Sequence, residues 1–399
     1  MPNEASSVKE RLDARPHILL AATFRWPVST RLAIAFHEVG LRVSVIGPND
    51  PAYRKIDCLE QIFNYSASAR KESLSMALTS GTFDFVIPCD DRARDDLDAL
   101  FRDPMVESKV KDLILKSLDE PTGYEVLRSR LSSLRLAEEV GLLVPISLDQ
   151  THAFEFPVVV KADHTSAGDG VRIARSRSEY ENYLRKLSRR PSFSRVLKRW
   201  VIDGDRFYLF EALTWKASPI TLQAFVKGLP ANRVVFCWKG KVLAGISILA
   251  LETLWPTGPT AIVEVIENKQ MDSAAQAIVE RLGATGFLGF DFILEEATQK
   301  AFLIEINPRA TPTCHLSLGV GHDLCAAFAE VITGRKAPIR PKVESKRLVI
   351  FRVGMPAGLP DDFYSDAPSE YPDLVRYWRQ PPGLLHRLAQ WVRNKISSC

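Results

Sequence analysis

Residues 286–315, GFLGFDFILEEATQKAFLIEINPRATPTCH, limit what this chain can fold into more than any other stretch. Two short apolar runs flank a polar turn, the pattern of a β-hairpin folding about Thr298. Alternation in a strand sends every second side chain to one face, so Leu303, Glu305 and Asn307 are expected together, with Phe302, Ile304 and Ile306 opposite. Asp291, set between Phe290 and Phe292, then falls across from Glu305. Three oxygen-bearing side chains brought together in this way suit a hard cation. Magnesium binds carboxylates alongside waters and is commonly shared with substrate phosphates, so a phosphate-bearing partner is expected as well. Arg309, two residues past Asn307, is placed to meet it. The competing reading is the solvated side of a half-buried hairpin, but such a face usually mixes Lys, Thr and Glu rather than grouping Asp, Glu, Asn and Arg.

At 399 residues the chain exceeds what one hydrophobic core usually serves, and two or three domains are expected. With 46% hydrophobic and 25% charged residues, both disorder and a membrane protein are disfavoured. No apolar run approaches the roughly 20 residues of a spanning helix, and the polar start MPNEASSVKERLDARPHILLAA lacks the apolar core of a secretory signal. A cytoplasmic location is expected. Cys58, Cys89, Cys237, Cys314, Cys325 and Cys399 show no CxxC spacing, which argues against a disulfide framework and a zinc site. A net charge of +4 does not call for nucleic acid, and the basic run 185–199 reads as a solvated helix and loop.

The chain in order supports an α/β protein. Residues 17–22 make a buried strand, 29–39 a helix closed by Gly40, and 42–46 a second strand, a βαβ unit with a right-handed crossover. Residues 83–88 give another strand, followed by Asp90 and Asp91, one of which is expected to cap the next helix. The loop after the first strand, TFRWPVST, is not G-x-G-x-x-G, so dinucleotide binding is disfavoured. A helix over 124–140 ends at Gly141. Then residues 156–161 deliver Lys161 to the loop TSAGDG, in which Gly168 and Gly170 let the backbone approach a ligand. Further strands are expected at 171–174, 220–226 and 262–266, with a hairpin at 233–249 turning at 239–241 and helices at 271–282 and 323–332. From residue 336 onward prolines recur, with a strand at 347–353 and a basic helix at 384–396.

This order of parts resembles the ATP-grasp superfamily, especially its carboxylate-amine ligase branch, over about residues 15–335. The motifs G-F-D-F-I and L-I-E-I-N-P-R carry most of the likeness. The resemblance implies a Rossmann-like pre-ATP-grasp domain (15–120) followed by a two-lobed ATP-grasp domain (121–335). Its small lobe would span about 150–225, its large lobe would carry the hairpin 286–310, and a Pro-rich extension (336–399) would follow. It further implies that Asp291, Glu305 and Asn307 hold magnesium, with Glu305 bridging two ions. One or two ions are expected, and manganese is an acceptable substitute. Lys161 matches the family's phosphate-binding lysine. Arg130, eleven positions before Gly141, stands where lysine is common, keeping the charge and adding a planar fork. Arg309 resembles the arginine aimed at a phosphate or acyl intermediate. Gln223, Phe225 and Val226 resemble the hinge that reads adenine, although the acidic residue expected after its glycine is replaced by the uncharged Leu229, Pro230 and Ala231.

The expected activity is an ATP- and magnesium-dependent ligation of a carboxylate to an amine through an acyl phosphate, releasing ADP and phosphate. Small-molecule substrates and a homodimer are compatible with the chain; nucleic acid and a spanning segment are not expected. Two rivals stay open. One is a nucleotide-binding regulatory protein without turnover, and the other is kinase- or carboxylase-like phosphoryl transfer. His315, eight residues past Asn307, is the nearest candidate base, with a structural role as its alternative.

Overall fold

Five residues buried end to end, HILLA, form β1 (His17–Ala21), the kind of strand a parallel sheet covers on both faces. The computed structural model describes residues 15–118, 121–149, 151–162, 170–190, 219–253, 260–350 and 363–379. After β1, α1 (Pro27–Glu38) opens with proline in its first turn and gives way at Gly40, where φ is 88°. β2 (Arg42–Gly47), β3 (Leu59–Asn64), α2 (Arg70–Ser80), β4 (Phe85–Pro88), α3 (Asp91–Arg102) and α4 (Ser108–Leu118) follow. The four strands run parallel in the order β3-β2-β1-β4. α1 covers one face and α2, α3 and α4 the other, a doubly wound arrangement.

The helix expected over 124–140 is two helices, α5 (Pro121–Arg128) and α6 (Arg130–Glu139). The Ser129 side chain accepts a hydrogen bond from the Ser132 N–H, capping a new helix where periodicity alone suggested continuity. Arg130 is thereby set on the first turn of α6.

A small antiparallel sheet comes next, ordered β6-β5-β7, from β5 (Val158–Ala162), β6 (Val171–Ala174) and, after α7 (Arg177–Leu187), β7 (Ile220–Ala224). It has its own core of Val158, Val160, Ala174, Tyr180 and Leu222. The strand expected at 220–226 stops at Ala224.

The large sheet collects β8 (Gly228–Trp238), β9 (Lys241–Thr253), β10 (Thr260–Ile266), and, after α8 (Lys269–Leu282), β11 (Gly286–Glu295) and β12 (Ala301–Asn307). After α9 (Leu324–Thr333), β13 (Arg347–Val349) and β14 (Phe363–Ser365) add to it, and α10 (Pro372–Arg379) closes the described chain. The order is β12-β11-β8-β9-β10-β13-β14. Asn268 caps α8, and Gly283 stops it in the left-handed conformation. β3, α2, α4, β14 and α10 had no counterpart in the sequence expectations. Gly168, the run 191–199 and the helix expected at 384–396 lie outside the described residues, as does the end of the strand expected at 347–353.

One apolar core joins the front sheet to the large sheet. Residues of β1, β2, β4 and α1 pack with residues of β8, β9, β10 and α9. At its centre the rings of Phe36, Phe85, Phe236, Phe287 and Phe328 stand 5.2 to 6.0 Å apart, centroid to centroid, several of them edge to face.

A buried polar network ties residues 363–379 to this body. His315 Nε2 lies 3.0 Å from Asp366 Oδ2, and Arg31 stands 3.7 Å from the same oxygen. Arg340 Nη2 donates to the His315 carbonyl at 2.7 Å, and its Nε donates to Asp323 at 2.9 Å. Burial, then the charge of Arg31, pushes His315 down to about 4, against the opposing pull of Asp366.

Two outcomes are expected. Phe236→Ala should cost about 3 to 5 kcal/mol, and because the core is shared, front and large sheets should melt in one transition by calorimetry; separate transitions would refute the shared core. Between pH 6.5 and 4 the unfolded chain protonates His315 and the folded chain does not. Stability should therefore fall on acidification, by up to about 3 kcal/mol from this residue. In urea titrations across that window, His315→Gln should show the shallower dependence on pH.

Candidate active site

β11 and β12 pair antiparallel with Asp291 directly opposite Glu305. Beyond that pair the register slips by one, so that Phe292 faces Leu303 and Ile304 is the extra residue of a bulge. Leu303 therefore does not share the face of Glu305, as strict alternation had placed it. It is fully buried with Phe290, Phe292 and Ile306 in the core beneath α8. Glu305 and Asn307 keep to the face of Asp291.

Hydrogen bonds organise this face. Asp291 Oδ1 accepts from Asn232 Nδ2 at 2.5 Å, and Oδ2 accepts from Asn307 Nδ2 at 2.9 Å. Arg130, buried on α6, reaches Glu305 Oε1 with Nη2 at 2.8 Å and the Ala162 carbonyl with Nη1 at 3.0 Å. Arg309 donates through Nε to Asp91 Oδ1 at 2.8 Å and through Nη2 to Asn307 Oδ1 at 3.2 Å. Burial, then the neighbouring charge of Glu305, raises the Asp291 carboxyl above the usual carboxylate range. Burial pulls Arg309 down, but the carboxylate of Asp91 more than offsets it and holds the guanidinium charged.

The small sheet supplies the facing wall. Cross-strand partners share a face, and β5 pairs β7 with Lys161 opposite Thr221 and Val159 opposite Gln223. Lys161, Thr221 and Gln223 thus stand together, while Val158, Val160 and Leu222 turn to the lobe's own core. Lys161 is buried and donates through Nζ to the carbonyl of Ile304, 3.3 Å away. The Gln223 Oε1 and Thr221 Oγ1 atoms are buried without a hydrogen-bond partner among the described residues. Phe225 and Val226 lie half-buried between β7 and β8, and the Gly170 carbonyl accepts from the Ala162 N–H at 2.9 Å.

These donors fit the ligands that the sequence suggested. Two carboxylates and carboxamide oxygens suit a hard cation, and the like charges of Asp291 and Glu305 across one ladder position are a cost that such a cation relieves. Among the described residues no group of three or more His, Cys, Asp and Glu side chains is placed to hold a metal ion. The buried acceptors Gln223 Oε1 and Thr221 Oγ1 fit a ligand that brings hydrogen-bond donors, as an adenine amine or ribose hydroxyl does. Beside Arg309 a cleft lined by Pro88, Arg94, Tyr124, Leu127, Phe287 and Pro308 lies between β4 and β11.

Asn232 went unnoticed in the sequence because its strand was expected to begin one residue later. Asp90 is the cap of α3, accepting from Ala93 N–H and from Thr23, while Asp91 turns to Arg309. His315 is engaged by Asp366, and His322 Nδ1 sits 2.7 Å from the Gly245 carbonyl, so neither is drawn into this face by a hydrogen bond. The five described cysteines are buried free thiols.

Residues 130–313 match the family model described as an ATP-grasp domain. A carbamoyl-phosphate synthase of Methanobrevibacter smithii is 23% identical over 232 residues, 54% of this chain and 56% of that protein. The match thus spans about half of that relative. Among solved structures, an L-amino acid ligase from Bacillus licheniformis superposes with a TM-score of 0.54 at 16% identity, covering 82% of this chain and 78% of that one. The biotin carboxylase domain of 2-oxoglutarate carboxylase from Hydrogenobacter thermophilus, solved with MgADP and bicarbonate, gives a TM-score of 0.53 at 13% identity, covering 82% and 71%. At such identities the likeness of structures is one of fold. Among the described residues no helix is long and apolar enough to cross a membrane. Residues 130–313 thus match an ATP-grasp domain, and the arrangement of front, small and large sheets is the fold that the chain shares with these solved structures.

Proposed function

We infer that this protein is an ATP- and magnesium-dependent ligase that joins a small-molecule carboxylate to an amine in the cytoplasm. The observation that carries the reading is the opposition of two walls. One bears Asp291, Glu305 and Asn307 with Arg130 and Arg309; the other bears Lys161 with the buried acceptors of Gln223 and Thr221.

Asp291, Glu305 and Asn307 hold the cation, which when bound neutralises charge along the phosphates. Gln223 and the chain at Phe225 and Val226 receive the adenine. Lys161 and Arg130 move from the Ile304 carbonyl and Glu305 onto phosphate oxygens. The substrate carboxylate attacks the terminal phosphorus of ATP, ADP departs, and the acyl phosphate lies beside Arg309. Amine attack on the acyl carbon expels phosphate, and the nitrogen gives up its proton. Arg309, kept charged by Asp91, stabilises the oxygen that gains negative charge in that adduct. The apolar cleft beside Arg309 takes the body of a substrate.

A second reading, nucleotide binding without turnover, rests on Leu229, Pro230 and Ala231 at the start of β8, which put no charged group where a ribose contact is expected. An ADP-release screen of paired amino acids and small acids separates the two.

In that screen Glu305→Gln should lower metal-dependent ADP release by about a hundredfold or more, since the cation contributes several kcal/mol to phosphoryl transfer, with little change in melting temperature. Release equal to the parent's would remove the metal assignment. Gln223→Leu should shift two measurements in opposite directions: stability rises by about 1 kcal/mol as an unpaired buried acceptor disappears, and ATP affinity falls in a calorimetric titration. Unchanged ATP affinity would place adenine elsewhere.

A further inference from the structure

The row of polar side chains at the hairpin extends one strand further than the hairpin itself. β8 runs antiparallel to β11, with Asn232 directly opposite Asp291, and β12 places Glu305 opposite Asp291 on its other side. Asn232, Asp291 and Glu305 thus occupy one line across three strands. The neighbours of Asn232 along β8 turn away from it. Ala231 lies in the core under α8, and Arg233, on the same side, pairs with Asp272 of α8 at 2.6 Å. Val234, two residues on and facing as Asn232 does, is already in the core shared by the front and large sheets, as is Ile248 opposite Asn232 on β9. Asn232 therefore sits where that core ends and the site begins.

Its contact is specific in direction. The Nδ2 group donates to Asp291 Oδ1 at 2.5 Å while Asn307 donates to Oδ2 at 2.9 Å, so both carboxylate oxygens are held and the plane of the group is set. Each oxygen keeps further acceptor capacity. The two nearby guanidinium groups go to other members of the row, Arg130 to Glu305 and Arg309 to Asn307. Among the described residues the hydrogen bonds that orient Asp291 thus come from the neutral amides of Asn232 and Asn307. A lysine or arginine at 232 would orient Asp291 equally well but repel a cation, and a carboxylate there would repel Asp291.

We propose that Asn232 is a positioning residue for the divalent cation, fixing the carboxylate plane of Asp291 so that its remaining lone pairs point at the ion. The proposal rests on the metal-binding reading of Asp291, Glu305 and Asn307. Partners that orient a ligand in this way are commonly worth ten- to a hundredfold in metal affinity.

The test uses the full chain with Mn2+ as the probe, titrated in the presence of saturating ADP and followed by electron paramagnetic resonance. ADP binding is measured separately in EDTA by calorimetry. Asn232→Leu, similar in volume but without a donor, should weaken Mn2+ binding by about tenfold or more and leave metal-free ADP binding unchanged. Asn232→Gln, which keeps the amide donor, should recover most of the loss. Mn2+ affinity in Asn232→Leu within twofold of the parent overturns the proposal, and so does an equal loss in Leu and Gln, which would assign the effect to shape. If Asn232→Leu does not fold, Asn232→Ala is measured against the same limits. A parent chain that binds no Mn2+ even with ADP present overturns the metal reading itself, an outcome distinct from the others.

Discussion

The site depends on an interaction that contains no charge at all. The aromatic core that Phe36 and Phe85 share with Phe236, Phe287 and Phe328 locks the front sheet onto the large sheet. That junction brings Asp91, at the start of α3, to Arg309, a contact between residues 218 positions apart in the chain. Close-packed interiors have few states of equal energy, so the geometry of this ion pair is inherited from the packing behind it. The small sheet, with a separate core, is coupled to the body by lighter contacts such as Lys161 to Ile304 and Arg130 to Ala162.

Charge is distributed to match. Glu305 and Asn307 are engaged by arginines, and Asp291 by two amides. Each interaction satisfies a polar group that would otherwise be costly to bury, and each is of a kind that a phosphate or cation can replace. On the facing wall, Gln223 Oε1 and Thr221 Oγ1 are among the buried side-chain atoms without a hydrogen-bond partner in the described residues, and each is a cost to stability.

Much of this was legible in the sequence where short-range chemistry decides it. Gly40, Gly283 and Gly334 end helices in left-handed conformations that other residues resist, and the hairpin about Thr298 brings Asp291 to Glu305 as its pattern implies. What escaped depends on partners that are distant in sequence. The edge strand β3, LEQIFN, has no alternation to betray it. The break at Ser129 is written in a cap rather than in periodicity, and Asn232 matters only because β8 lies beside β11. The face of Leu303 was misread because a register slip belongs to a pair of strands and not to either alone.

That slip has a wider meaning for how such a site is addressed. Ile304 is the residue left over in the ladder, and its carbonyl is the one that Lys161 reaches from the opposite lobe. The bulge therefore performs two tasks with one inserted residue: it carries Glu305 from the parity of Leu303 to that of Asp291, and it exposes a backbone acceptor for the lysine. The chemistry of β12 is indexed by counting from the bulge rather than by odd and even positions. Two hairpins with the same motif letters but different ladder counts would present different faces to their nucleotide, and motif spelling alone would not distinguish them.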